Sequence, residues 1–206
     1  MKDARSVIIM AKAPVMGRVK TRLAGDIGAV TATWFYRHEL ARLVRVLGRD
    51  KRWETYLAVT PDHAISNPVW PIDVGLIAQG KGDLGSRMLR SISAMPPGPV
   101  VVVGSDIPTL GQRHVAEAFA VLGRHDVVFC PSSDGGYNLI GITHHRLAVN
   151  LFTDVRWSTS YTLDDTMANL AGLREVFLDL LEDIDCGADY AFWKALVRGT
   201  PCPIWR

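Results

Sequence analysis

A chain of 206 residues, 48% hydrophobic and 21% charged, has the composition of a folded globular protein and a length suited to one domain spanning residues 1–206, which excludes disorder. Its 23 basic and 21 acidic residues nearly cancel to a formal charge of +2, so no bulk field demands nucleic acid or a membrane surface as partner. Cys130, Cys186 and Cys202 are too scattered for a disulfide framework or a zinc site, and no apolar run approaches the roughly 18 residues of a membrane span, so the expected setting is the cytoplasm with reduced thiols.

In chain order, short β-branched runs alternate with helix-like stretches. Strands are predicted over Val7–Met10, Tyr56–Val59, Val74–Ala78, Val100–Val103, Val127–Cys130, Leu139–Ile142 and Val176–Leu181. Amphipathic helices are predicted over Ala29–Leu47, Leu84–Ala94, Gln112–Leu122, Thr159–Leu170 and Ala188–Val197. The four consecutive valines at 100–103 are apolar on both faces, as a central parallel strand covered by helices on both sides must be. Strand–helix alternation of this kind argues for right-handed βαβ units and an α/β layered fold with a mostly parallel sheet. The stretch after Cys130 is less regular and has room for antiparallel strands.

In such sheets ligands bind beyond the carboxyl ends of the strands. Five post-strand loops carry Gly, Asp, Lys or Arg in dense clusters: KAPVMGRVKTRL, QGKGDLGSRM, GSDIP, PSSDGGY and EDIDCGAD. The first holds Lys12, Gly17, Arg18, Lys20 and Arg22 before a helix pattern, a place where amides and basic side chains suit phosphate. It lacks Walker spacing, and a solvated basic turn with Thr21 as helix cap is the competing reading. Asp106, directly after the valine strand, is placed to hold a hard cation such as Mg²⁺, or simply to order the turn before Pro108. Asp183 and Asp185 share one side of an extended chain while Glu182 points away; Asp185 is also a candidate N-cap for the last helix. Asp134, Gly135 and Gly136 permit close ligand approach but equally spell a hairpin turn. His144 and His145 are assigned no chemistry.

These motifs, in this order over nearly the whole chain, resemble the transferase 1 family associated with radical-SAM and selenium-related genes, within the nucleotide-diphospho-sugar transferase superfamily; a more distant similarity runs to small guanylyltransferases of cofactor biosynthesis. The resemblance implies a GT-A-like three-layer sandwich with one mostly parallel central sheet. It implies a nucleotide-binding set of Lys12, Gly17, Arg18, Lys20, Arg22, Gln79, Gly82, Asp83, Leu84 and Gly85, with Gln79 and the following turn reading the base. It places the metal, Mg²⁺ or Mn²⁺, on Asp106 and Asp185, and the acceptor on Asp134, Gly135, Gly136 and Tyr137, with Trp157, Ser158 and Thr159 opposite. Relatives carry a Thr-Pro pair where this chain has Cys186–Gly187, which leaves Asp183 as an alternative to Asp185.

The expected reaction is transfer of a nucleotidyl group from an NTP to a small phosphorylated or sugar-like acceptor, releasing pyrophosphate. Lys20, Arg22 and Asp106 are the expected catalytic residues, because charge neutralisation dominates such chemistry. Glycosyl transfer from a nucleotide sugar is the alternative.

Overall fold

The structure is a computed structural model, and it describes residues 4–67, 69–70, 74–143 and 148–199. Seven strands form one sheet: β1 (Ser6–Lys12), β2 (Glu54–Thr60), β3 (Gly75–Ala78), β4 (Val100–Val103), β5 (Val127–Pro131), β6 (Tyr137–Ile142) and β7 (Glu175–Phe177). Their spatial order is β3-β2-β1-β4-β6-β5-β7. Strands β3, β2, β1 and β4 run parallel, β6 is antiparallel to both neighbours, and β7 is parallel to β5. The carboxyl ends of six strands therefore share one edge, and the amino end of β6 joins them there.

The helices are α1 (Thr21–Ile27), α2 (Ala29–Gly48), α3 (Leu84–Ser93), α4 (Gln112–Val121), α5 (Ala148–Leu151), α6 (Thr162–Ala168) and α7 (Gly187–Gly199), with a 3₁₀ turn at Asp62–Ser66. Period-two alternation splits the sheet's side chains between two cores. Val7, Ile9, Leu57, Val101, Val103 and Val128 face α2 and α4. Ile8, Ala58, Val100, Val102, Phe129 and Ile140 face Met88 and Ile92 of α3, with Phe152 and Leu170. Each fully buried Leu, Ile or Phe contributes about 1.5–3 kcal/mol, so both helical layers are held by area rather than by any one contact. The result is the expected three-layer GT-A-like sandwich.

A third, small cluster of Leu23, Ala32, Phe35 and Ile184, joined by Tyr190 and Trp193, ties α1, α2 and α7 together. Phe35 meets Tyr190 and Trp193 edge-on at centroid distances of 5.7 and 5.0 Å. This cluster fixes where the C-terminal segment crosses the N-terminal loop.

Three departures from the predicted elements matter. Helix α1 stands as a separate element before α2, broken from it at Gly28, whose φ is 84°. The helix expected over Thr159–Leu170 begins only at Thr162: the Thr159 and Thr162 hydroxyls both donate to the Arg156 carbonyl and hold 156–161 in turns. The last strand stops at Phe177 rather than Leu181, because Pro131 of its partner β5 has no N–H to continue the ladder. Beyond it the chain stays close to β5 and β6, with Leu181 N–H donating to the Pro131 carbonyl and Asn138 Nδ2 to the Leu181 carbonyl. His144, His145 and Cys202 lie outside the described residues.

Candidate functional site

The five loops meet at the carboxyl edge of the sheet, and their centre is Lys20. The loop after β1 turns at Gly17 (φ 74°) and ends on Lys20 itself, whose φ of 46° puts a non-glycine residue in the left-handed region. Such strain costs on the order of 1–3 kcal/mol and persists only where the surroundings over-determine it. Here they do: the side chain is only 7% exposed, and its Nζ lies 2.5 Å from Asp106 Oδ2, 2.6 Å from Asp185 Oδ1 and 3.2 Å from Asp183 Oδ2. Arg22 adds a contact at 3.2 Å to the other Asp185 oxygen. Lys20 also occupies the N-cap position of α1, without a side-chain cap, so Thr21 is the first helical residue and not the cap.

Each carboxylate is positioned by a different element. The loop bearing Asp106 is pinned to α2 by Arg42, which donates to the carbonyls of Ile107 and Leu110 and is itself held by Glu39. Tyr36, also on α2, stitches two loops: its hydroxyl accepts from the Lys12 N–H and from Ser105 Oγ and donates to the Lys12 carbonyl. Burial pushes that phenol up to about 12, so it stays neutral. Asp183 and Asp185 arrive on the segment after β7, with Ile184 between them buried against α1 and α2 and Glu182 turned to solvent. Asp185 does not cap α7. That end is closed by Asp189, which accepts from the Asp185 and Cys186 N–H groups, and by Asp26, which accepts from Gly187.

The electrostatics separate the two aspartates. Burial pushes Asp183 up to about 6 against the pull of Lys20. Burial acts the same way on Asp185, but the closer Lys20 and the added Arg22 outweigh it and leave that carboxyl below its ordinary range. Burial works against the Lys20 ammonium too, and Asp106 and Asp183 more than offset it, so Lys20 is held firmly protonated.

Two cavities flank this cluster. The larger, about 820 Å³, is lined by Lys12, Arg18, Lys20, Arg22, Asp106 and Asp185, and also by Arg87. The smaller, about 230 Å³, runs inward over Met88, Val102 and Ile140 and carries Asp134, Tyr137, Trp157 and Asp183 on its walls. Both share Met10, Leu84, Asp134, Ser158 and Thr159, so they adjoin beside the carboxylates.

Most residues singled out in the sequence line one of these cavities, but Gly17, Gly82, Asp83, Gly85 and Gly135 line neither. They shape the backbone. Gly82 (φ 109°) and Gly135 (φ 85°) turn the chain. Asp83 caps α3 by accepting from Ser86 N–H at 2.8 Å, and Gly85 lets Trp157 and Phe152 pack onto that helix. Asp134 orders its own turn, with Oδ1 accepting from Ser132 Oγ and from the Gly136 N–H. Tyr137 bonds Thr166 and shows its ring to the smaller cavity.

Gln79 needs correction as a base reader. It is 2% exposed, and both amide hydrogens are taken by the Ala11 and Ala58 carbonyls, so no donor remains for a base edge. Its oxygen instead accepts from Arg87 Nη1 at 3.2 Å. Arg87, Tyr36 and Ser105 thus line the larger cavity without having been singled out in the sequence. The signal for Arg87 was its place one turn after Asp83 on the same helix face.

Among the described residues, no group of three or more His, Cys, Asp or Glu is arranged as a metal cluster. Still, the donor chemistry suits a hard divalent cation: three carboxylates already converge on one positive charge beside a basic cavity.

Residues 43–159 match the family described as "Uncharacterized protein conserved in bacteria (DUF2064)". The chain belongs to the DUF2064 family. In this DUF2064 protein the matched span contains Gln79, Arg87, Asp106 and the Asp134 turn, and ends at Thr159, before the segment that brings Asp183 and Asp185. A curated relative, 2-phospho-L-lactate guanylyltransferase of Methanopyrus kandleri, is 32% identical over 125 residues, which cover 58% of this chain and 56% of the relative. The chain therefore matches little more than half the length of that enzyme. Among solved structures, the provisionally named nucleotide-diphospho-sugar transferase of Desulfovibrio desulfuricans G20 superposes with a TM-score of 0.84 at 27% identity, covering 100% of this chain and 91% of that one. A cytidylyltransferase of Leptospira borgpetersenii shares the fold, with a TM-score of 0.65, 16% identity and coverage of 96% and 88%. Among the described residues, no helix is long and apolar enough to cross a membrane.

Proposed function

We propose that this DUF2064 chain is a nucleotidyltransferase that moves a nucleotidyl group from an NTP to a small phosphorylated or sugar-like acceptor. One observation carries the reading: a buried ammonium held by three carboxylates stands at the mouth of a cavity that four further basic side chains line. A volume of about 820 Å³ suits a nucleotide, and Lys12, Arg18, Arg22 and Arg87 provide the positive charge a triphosphate needs. The guanylyltransferase named above supports nucleotidyl transfer. The motif order supports a place in the radical-SAM- and selenium-associated transferase 1 group, with one cytoplasmic domain over residues 1–206.

In the reaction, an acceptor oxygen attacks the α-phosphorus. A bond forms between them, the bond from the α-phosphorus to the bridging oxygen breaks, and pyrophosphate leaves with that electron pair while the acceptor proton passes to water. Lys20 and Arg22 lie where negative charge gathers on the departing pyrophosphate, an electrostatic rather than acid–base role. Arg87, braced by Gln79, orients the nucleotide. Asp106 and Asp185, with Asp183 beside them, would hold Mg²⁺ or Mn²⁺, which when bound supplies Lewis-acid neutralisation of phosphate oxygens.

The 27% identical structure named as a nucleotide-diphospho-sugar transferase favours a second reading, glycosyl transfer from a nucleotide sugar. The deciding assay offers a mixed acceptor pool with either triphosphates or nucleotide sugars and measures pyrophosphate and nucleoside diphosphate separately. Nucleotidyl transfer releases pyrophosphate, and Asp106→Asn lowers that release at least about a hundredfold. Nucleoside diphosphate from a nucleotide sugar, with no pyrophosphate from any triphosphate, establishes the glycosyltransferase instead.

A further inference from the structure

The smaller cavity has a chemistry that the proposed function leaves undefined. Its inner wall is apolar, with Met88, Val102 and Ile140. Its uncharged polar side chains are mostly hydroxyls, with the Asn138 amide and the Trp157 N–H, and its two charged residues are acidic, Asp134 and Asp183. None of the described lining residues is Lys, Arg or His.

The basic groups around it are committed elsewhere. Arg156 is clamped by Asp165, at 2.7 Å, with its guanidinium over the Tyr161 ring. Lys20 is surrounded by its three carboxylates, and Arg87 is tied to Gln79 and the Asp83 carbonyl on the nucleotide side. An anion entering this cavity would meet two carboxylates and no cationic side chain on its walls, a like-charge juxtaposition that disfavours it.

We infer that the acceptor is an uncharged, hydroxyl-bearing molecule with one apolar face, such as a polyol, a sugar or a short alkyl glycoside, and that the attacking atom is an alcohol oxygen. Hydroxyls donate to Asp134, to Asp183 and to the Asn138 amide oxygen, while the hydrocarbon face lies on Val102, Ile140 and the Trp157 ring. A cationic amine is not required. The Asp134 charge is already spread over the Ser132 hydroxyl and the Gly136 N–H, and that of Asp183 faces Lys20. The volume of about 230 Å³ has room for a single sugar ring. Uncharged acceptors thus replace the broader class of phosphorylated or sugar-like compounds, and the inference rests on the nucleotidyltransferase reading for its geometry.

The test compares matched pairs by saturation-transfer NMR, with Mg²⁺ and each nucleoside triphosphate in turn: glucose against glucose 1-phosphate, and myo-inositol against inositol 1-phosphate. Each uncharged member should bind at least about tenfold more tightly than its phosphate. Thr159→Arg puts a cation on an exposed wall residue and should move the preference toward the phosphates. A wild type that binds the phosphates first, or binds neither member, overturns the inference, as does a ranking unchanged in Thr159→Arg. Thermal shift with the triphosphates alone, read in parallel, separates the two claims. Nucleotide stabilisation with phosphate-preferring acceptor binding sinks only the acceptor class, whereas no stabilisation by any triphosphate sinks the nucleotidyltransferase reading.

Discussion

At the scale of single residues, the site is organised around a charge that is costly to bury. Lys20 is held in a strained backbone conformation and almost removed from water, and only the three aspartates repay this. Taking away one partner of such a cluster leaves the others uncompensated. Lys20→Met should therefore lower stability by about 3 kcal/mol in urea unfolding without divalent ions. Millimolar Mg²⁺ should restore more stability to this variant than it adds to the wild type, because the ion finds three carboxylates with no ammonium among them. A variant as indifferent to Mg²⁺ as to Na⁺ would show that the carboxylates serve Lys20 alone. Their places after predicted strands made Asp106 and the Asp183/Asp185 pair legible as two acidic strand ends opposite a basic loop. That their common partner is Lys20 was not legible, because 163 residues separate Lys20 from Asp183 along the chain.

At the scale of elements, α3 joins the two cavities. Arg87 on this helix lines the larger cavity, Leu84 lines both, and Met88 lines the inner one. Its first turn packs so closely on the 152–157 segment that a Cβ at Gly85 would stand 2.7 Å from Trp157 Cζ2 and 2.8 Å from Phe152 Cβ. Alanine in a helix ordinarily gains about 1 kcal/mol over glycine. Here Gly85→Ala should instead destabilise by about 1–3 kcal/mol, the cost of overpacking, and displace the Trp157 wall. Urea unfolding gives the sign, and a stabilised variant would mean that α3 and the Trp157 segment are free to separate. The predicted strands and the long helix α2 agreed with the structure because their apolar residues repeat at the periods of two and 3.6 that each element imposes. Elements set by hydroxyl–carbonyl bonds or by a partner strand, such as the turns before α6 and the end of β7, leave no such periodic trace.

At the scale of the whole molecule, pH should act through carboxylates of opposite sense. Arg52 holds Asp50 below its ordinary range, the Arg174 N–H and side chain do so for Asp126, and Arg156 brings Asp165 down to about 2. Groups with depressed values contribute stability above their unfolded value of about 3.9, and lose it as the pH falls toward the folded values. Asp183, raised to about 6 mainly by burial, works the other way: its contribution is present at low pH and lost as the pH rises through about 6. The urea midpoint should rise slightly from about pH 7 to about 5 and then fall steeply below about 4, where three pairs release together. A midpoint that continued to climb at about pH 3 would mean that these pairs do not form in solution.

The α/β class, the identity of most strands and the clustering of unusual residues after them were legible from the residues alone. Local periodicity and the fixed direction of parallel crossovers are enough for that. What those residues face was set by the packing of distant segments. It turned Gln79 from a reader of bases into a brace for Arg87, gave the capping of α7 to Asp189 and Asp26 rather than Asp185, and divided one sheet edge into a basic cavity and an acidic one. Hydrogen-bond partners and charge neighbours depend on segments that lie far apart in the chain, and the balance of burial against nearby cations decides whether a carboxylate beside a lysine is raised, as in Asp183, or lowered, as in Asp185.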